Sequence, residues 1–136
     1  MNKDDTLSYL VRYLCGFLYH ESLIEELLKI IAVSGAELQF FKLILVRLRQ
    51  LSSLGIEAVR LREFEKIGSG LYSMHFAGTN FNIRILYAFM PDGRPVLLIP
   101  FYERAGKRNT DYTPYIEPAL SRLATLKEEY ENGFKK

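Results

Sequence analysis

The chain has 136 residues, 49% of them hydrophobic and 25% charged, with a formal net charge of +2. That length suits a single domain spanning 1–136 with a real core, and the composition excludes a disordered chain and one dominated by a single sign of charge. Its one cysteine, Cys15, permits no internal disulfide and lies in an apolar run, which predicts a buried thiol and a reducing, cytoplasmic setting.

The opening residues lack the basic-then-apolar order of a secretory leader. Arg12, Glu21, Lys29, Glu37 and Lys42 interrupt every apolar stretch that could span a bilayer, so no membrane association is expected. Residues 6–19 place Leu7, Leu10, Val11, Leu14, Phe17 and Leu18 at helical spacing. Tyr9, Val11 and Tyr13 also alternate, so the segment reads as a helix, with an opening strand as the alternative.

Residues 22–33 form a helix with Leu23, Leu27, Ile30 and Ile31 on one face and a Glu25–Lys29 pair on its outside. Ser34-Gly35 ends it. A second helix, 36–54, buries Phe41, Ile44, Leu45, Leu48 and Leu51 and stops at Gly55. The two read as a helical hairpin lying on a sheet.

Four strands follow, at 58–64, 71–76, 82–89 and 96–102. Gly68-Ser69-Gly70, residues 77–80 and Pro91-Asp92-Gly93 turn the chain between them. In the third strand Ile83, Ile85, Tyr87 and Phe89 face one way, and Arg84, Leu86 and Ala88 the other. The run Val-Leu-Leu-Ile in the fourth has no polar face, which predicts a strand covered on both sides. After a polar loop, Thr113-Pro114 opens a last helix as cap and first turn, with Ile116, Ala119, Leu120, Leu123 and Tyr130 on one stripe. Pro118 is expected to shift its start. The expected fold is α+β: a small antiparallel sheet with an N-terminal helical hairpin and a C-terminal helix.

Most catalytic templates are absent. Gly68-Ser69-Gly70 lacks the lysine of a phosphate loop, and one cysteine with the distant His20 and His75 is a poor zinc set. No nucleophile elbow is present, and no cofactor is implied. Between Arg60 and Arg108, however, eight Lys/Arg stand against four acids. A local basic excess suits an anionic ligand such as RNA, and equally a solvated sheet edge.

The segment from Leu61 to Ala119 resembles the toxins of bacterial type II toxin–antitoxin modules, in the phage-derived branch of the RelE/HigB superfamily. The family line has the form "G-LYELR … yRILY … VLLhgF-KK … IexA". Here it is met by Gly70-Leu71-Tyr72-Ser73-Met74-His75, Ile83-Arg84-Ile85-Leu86-Tyr87, Val96-Leu97-Leu98-Ile99-Pro100-Phe101 and Ile116-Glu117-Pro118-Ala119. Family members usually open with a strand that completes the sheet.

The resemblance implies a ribosome-dependent mRNA endoribonuclease that inhibits translation. Because the RNA supplies its own 2′-hydroxyl as nucleophile, the protein needs only proton transfer and charge stabilisation. It implies catalytic roles for Arg84, on the scissile phosphate; for His75, where the motif has arginine, as acid or base; and for Tyr115. RNA-binding roles fall to Arg104, Lys107 and Arg108, and to Tyr112 by stacking.

Each has a plainer alternative. Arg84 could be a strand residue paired with Glu63 or Glu65, His75 a half-buried strand residue, the loop solvated, and the tyrosines packing. Glu103 replaces one lysine of the family's basic pair, which weakens the phosphate site or hands it to the loop. The implied partners are mRNA, the ribosome and a cognate helix-turn-helix antitoxin. The apolar N-terminal segment offers a surface for that antitoxin or for a homodimer. Alternatives of another class are a non-enzymatic ParE-like gyrase-binding toxin and an inactive phage-derived binding protein.

Overall fold

The computed structural model describes residues 2–34, 37–78, 81–103 and 110–134. Helix α1 (Lys3–Leu14) starts where the Asn2 side chain accepts from the Asp5 amide, with Asp4 and Asp5 against the positive end of the helix. Leu10 and Leu14 are fully buried and Thr6 nearly so. Gly16, at φ +98°, then turns the chain into the two-residue strand β1 (Leu18–Tyr19). Both readings of 6–19 are therefore partly right: helix to Leu14, strand at its end. Cys15 caps the helix and is exposed, which corrects the expectation of a buried thiol; its neighbours in sequence are apolar, but the C-cap faces water.

Helices α2 (Leu23–Ser34) and α3 (Glu37–Leu54) stand where the helical hairpin was expected, and α1 adds a third helix to that layer, so the expected arrangement is matched only in part. Gly55, at φ +55°, ends α3, and Gly55–Arg60 continue as a 3-10 helix. The strand expected at 58–64 is thus corrected: only its last residue is strand. Ala58 alone in this turn is buried, a Glu57–Arg60 ion pair spans it, and the Leu61 amide closes it on the Ala58 carbonyl.

Strands β2 (Phe64–Gly68), β3 (Leu71–Ala77), β4 (Asn82–Phe89) and β5 (Pro95–Tyr102) are antiparallel neighbours. The sheet order is β1-β5-β4-β3-β2. β1 runs parallel to β5, pairing Leu18 with Val96 and Tyr19 with Leu97, so the sheet is mixed rather than antiparallel. The physical reason is the connection: β1 reaches β5 through a long crossover that includes the helical hairpin, whereas β2 to β5 follow one another through tight turns.

Pleating sends alternate side chains to opposite faces. One face carries Met74, Phe76, Ile83, Ile85 and Tyr87 and packs under Leu10, Leu27, Ile44 and Leu48 of the first three helices. The other carries Leu71, Leu86, Leu98 and Phe101 and packs under Ala119 and Leu123 of helix α4 (Thr113–Phe134). This double cover explains the all-apolar run of β5.

Helix α4 runs from Thr113 straight through Pro118, so the proline does not displace its start. The cap comes from Asp111, whose side chain accepts from the Thr113 amide at 3.0 Å. Arg122 ties α4 to α2: its two terminal nitrogens donate to Glu26 at 2.6 and 2.7 Å, and one also donates to the Leu98 carbonyl at 2.9 Å. That carbonyl lies just beyond the reach of β1. Among the described residues, no helix is long and apolar enough to cross a membrane.

Candidate functional site

Register gathers the chemistry-bearing residues at one end of the sheet. His75 on β3 is opposite Arg84 on β4, and Arg84 is opposite Phe101 on β5. All three share the face that α4 covers, because they stand in the same alternation as Leu86 and Leu71. This end lies beyond the first turn of α4, so polar groups are tolerated there where Leu123 and Ala119 no longer fill the space.

The Arg84 guanidinium is largely buried, its side chain 14% exposed, and it is paired. Its Nε donates to Glu103 Oε2 at 2.5 Å. Neither Glu63 nor Glu65 is the partner, which corrects the alternative offered for it. Glu103 follows β5, and its amide donates to the Asn82 carbonyl at 2.7 Å. The Thr110 hydroxyl donates to Glu103 Oε1 at 2.6 Å. Burial raises the Glu103 carboxyl, but the hydrogen bonds from Thr110 and Arg84 and the charges of Arg84 and His75 outweigh it and hold it below its ordinary value.

His75 is half-buried. Its ring Nε2 bonds the Asn82 side chain, its amide donates to the Glu63 carbonyl, and its carbonyl accepts from Arg47 Nε at 3.0 Å. Arg47 belongs to α3 on the opposite face and lies 3.9 Å from Glu63, so the hairpin fixes the position of His75 from below.

Tyr112 lies just ahead of α4. Its ring is 5.8 Å from the Arg84 guanidinium, and its hydroxyl donates to Glu65 Oε2 at 2.6 Å. The buried Ser73 hydroxyl is near enough to act on the Tyr112 phenol, although no formed hydrogen bond joins them. Burial first, then the Glu65 bond, push the Tyr112 phenol up to about 12. Tyr112 is therefore a hydrogen-bond donor at neutral pH and not a base. A raised phenol stabilises the fold fully below the unfolded value of 10.0, and that contribution is lost as pH rises toward about 12. Tyr112→Phe is expected to flatten this alkaline loss in a stability-versus-pH series between pH 9 and 12; an unchanged slope would remove Tyr112 as its source.

Tyr115 lies beside the site with its ring flat on Phe101, centroids 4.0 Å apart and planes within 6°. One ring face is thus committed to packing. Arg104, Lys107 and Arg108 lie outside the described residues. Among the described residues, no three His, Cys, Asp or Glu side chains converge as a metal site.

Arg84, His75, Tyr112 and Tyr115 are thus brought together; Asn82 and Thr110 were missed, and Glu103, noted in the sequence only as a departure from the basic pair, is the partner of Arg84. Pairing Glu103 with Arg84 needed the register of β5 on β4. Counted from Pro91-Asp92-Gly93 an uninterrupted hairpin would set Ile83 against Phe101; the register shift between Leu86 and Tyr87 moves Ile83 onto Tyr102, and that one-residue shift, which the turn does not announce, brings Glu103 beside Asn82. No family model and no curated protein matches this sequence.

Proposed function

We propose that the chain is a RelE/HigB-like toxin that cleaves mRNA by attack of the RNA's own 2′-hydroxyl, with the ribosome completing the substrate geometry and a helix-turn-helix antitoxin as partner. The observation that carries the reading is the register of Arg84. The arginine of the motif stands between His75 and Phe101, with the Tyr112 ring against its guanidinium. A guanidinium for the phosphate, an imidazole for proton transfer and aromatic rings for a base are the parts such cleavage requires. The short β1 that completes the sheet ahead of the helical hairpin also agrees with the family's opening strand.

A second reading has its own observation. Glu103 already compensates the Arg84 charge, which suits a non-enzymatic toxin of the ParE-like, gyrase-binding kind. Expression of the chain without an antitoxin, followed by mapping of RNA ends and of chromosomal breaks, separates the two. Growth arrest with fragmented mRNA is the expected result. Arrest with an SOS response and broken DNA would replace the first reading by the second. Normal growth with intact mRNA at high protein levels would sink both and leave an inactive phage-derived binding protein.

A further inference from the structure

The face of α1 that meets solvent beside α3 carries a pattern that fits itself. Asp5, Ser8, Tyr9 and Arg12 stand at i, i+3, i+4 and i+7, one stripe of the helix. With Leu38 at the start of α3 they line an open groove of about 540 Å³. Its apolar wall is firm: Tyr9 is 36% exposed and anchored against Tyr13 and Phe41, ring centroids 5.9 and 5.4 Å away, and Leu38 is 66% exposed. The two charges stand at opposite ends. Asp5 and Arg12 are about 10 Å apart along the helix axis, too far to pair with each other. Neither has an ion-pair partner among the described residues.

We propose that this groove binds a second copy of the chain, α1 against α1, antiparallel about a two-fold axis that passes between Ser8 and Tyr9. The stripe is symmetric about that point. Reversal sets Asp5 of each copy against Arg12 of the other, and the small Ser8 of each against the large Tyr9 of the other. Two opposite-charge pairs form, and the helix dipoles run antiparallel. A parallel arrangement would set Asp5 on Asp5 and Arg12 on Arg12, so the charges select one orientation. The axis crosses the plane of the two helices at right angles, which places both Leu38 side chains on the same side of the seam. Leu7 and Val11, also exposed, stand on the other flank of α1 and lie outside it.

One helix and one leucine from each copy make a contact smaller than a standard stable interface of about 1,600 Å². The dimer is therefore transient, and its population follows concentration. The pairing uses no residue of the Arg84 cluster, and it stands or falls apart from the RNA-cleaving reading.

The test is sedimentation equilibrium of the full chain from roughly 1 μM to 1 mM, at low and high salt, on wild type, Asp5→Arg, Arg12→Asp and Val11→Ser. Wild type is expected to dimerise, more weakly in high salt. Each charge variant is expected to lower the association constant about tenfold or more, because the two-fold repeats every change. Mixed in equal amounts, the two charge variants are expected to recover wild-type association, since a stripe with two arginines then meets one with two aspartates. A mere loss of helix stability in Asp5→Arg could not give that recovery. Val11→Ser is expected to match wild type. A wild-type chain that stays monomeric at the highest concentration would overturn the proposal and leave the groove to a different protein. Dimerisation that the charge variants do not weaken, or that Val11→Ser alone weakens, would overturn it by placing the interface elsewhere. Weakening without recovery on mixing would overturn the antiparallel pairing.

Discussion

If the chain cleaves RNA as proposed, Arg84→Ala is expected to lower the cleavage rate and to destabilise the protein at the same time. Loss of a donor aimed at developing negative charge costs about 2.7–4 kcal/mol of transition-state stabilisation, a rate loss of roughly 100- to 1000-fold. An arginine on an exposed strand face could be removed with little effect on folding. Arg84 is different, because its removal strands the Glu103 carboxylate at 9% exposure without its counter-charge. Breaking one side of a buried pair costs roughly 3–5 kcal/mol, whereas replacing both sides by apolar groups is close to neutral. The double variant Arg84→Met/Glu103→Leu should therefore recover much of the lost stability and none of the activity. Denaturant unfolding and cleavage assays on the three proteins check this. Recovery of cleavage in the double variant would show that Arg84 acts only through folding.

Phe40→Ala should give the largest purely structural loss. Phe40 is 1% exposed on α3. Its ring lies 5.2 Å from that of Phe76 and 6.2 Å from each of those of Phe41 and Phe81. It packs α3 onto the end of the sheet where β3 gives way to β4. Truncating a buried phenylalanine costs about 3–5 kcal/mol, from lost transfer energy and from the cavity that incomplete relaxation leaves. Against a typical total of about 5–15 kcal/mol, that is a large share. Phe76 is the sequence neighbour of His75, so a loosened Phe40 contact should also weaken the site. Urea unfolding gives the number, and a loss below about 1 kcal/mol would mean that α3 collapses to refill the cavity.

Several elements were readable because local chemistry and tertiary packing agree. β4 has the bounds its alternation indicates, 82–89. The hairpin α2–α3 ends where Gly55 turns to positive φ. The all-apolar β5 lies under helices on both faces. Other elements depended on contacts distant in sequence. β1 has only two residues, too few to show a period, and its strand character comes from Val96 and Leu97. Residues 58–60 read as the start of a strand, but they finish the tight helix Gly55–Arg60, in which Ala58 is buried.

In the site, the motif picked out Arg84, while its pairing with Glu103 depended on the one-residue register shift between Leu86 and Tyr87, which nothing local in β4 or β5 marks. Tyr115 looked available from sequence because its stacking partner Phe101 belongs to another element.

The parallel pairing of Leu18 with Val96 also sets an order of events during synthesis. The α2–α3 hairpin can form as soon as it leaves the ribosome, since its contacts are local. β1 has no partner until β5 has been made, and Arg122, which covers the next carbonyl of β5, comes later still. A nascent chain halted before Val96 would hold β1 and the sheet-facing side of the hairpin open to solvent, a surface suited to chaperones or aggregation. The last strand and the last helix therefore complete both the end of the sheet that carries His75 and Arg84 and the edge closed by β1, so a chain cut short of them lacks that cluster as well as the closure.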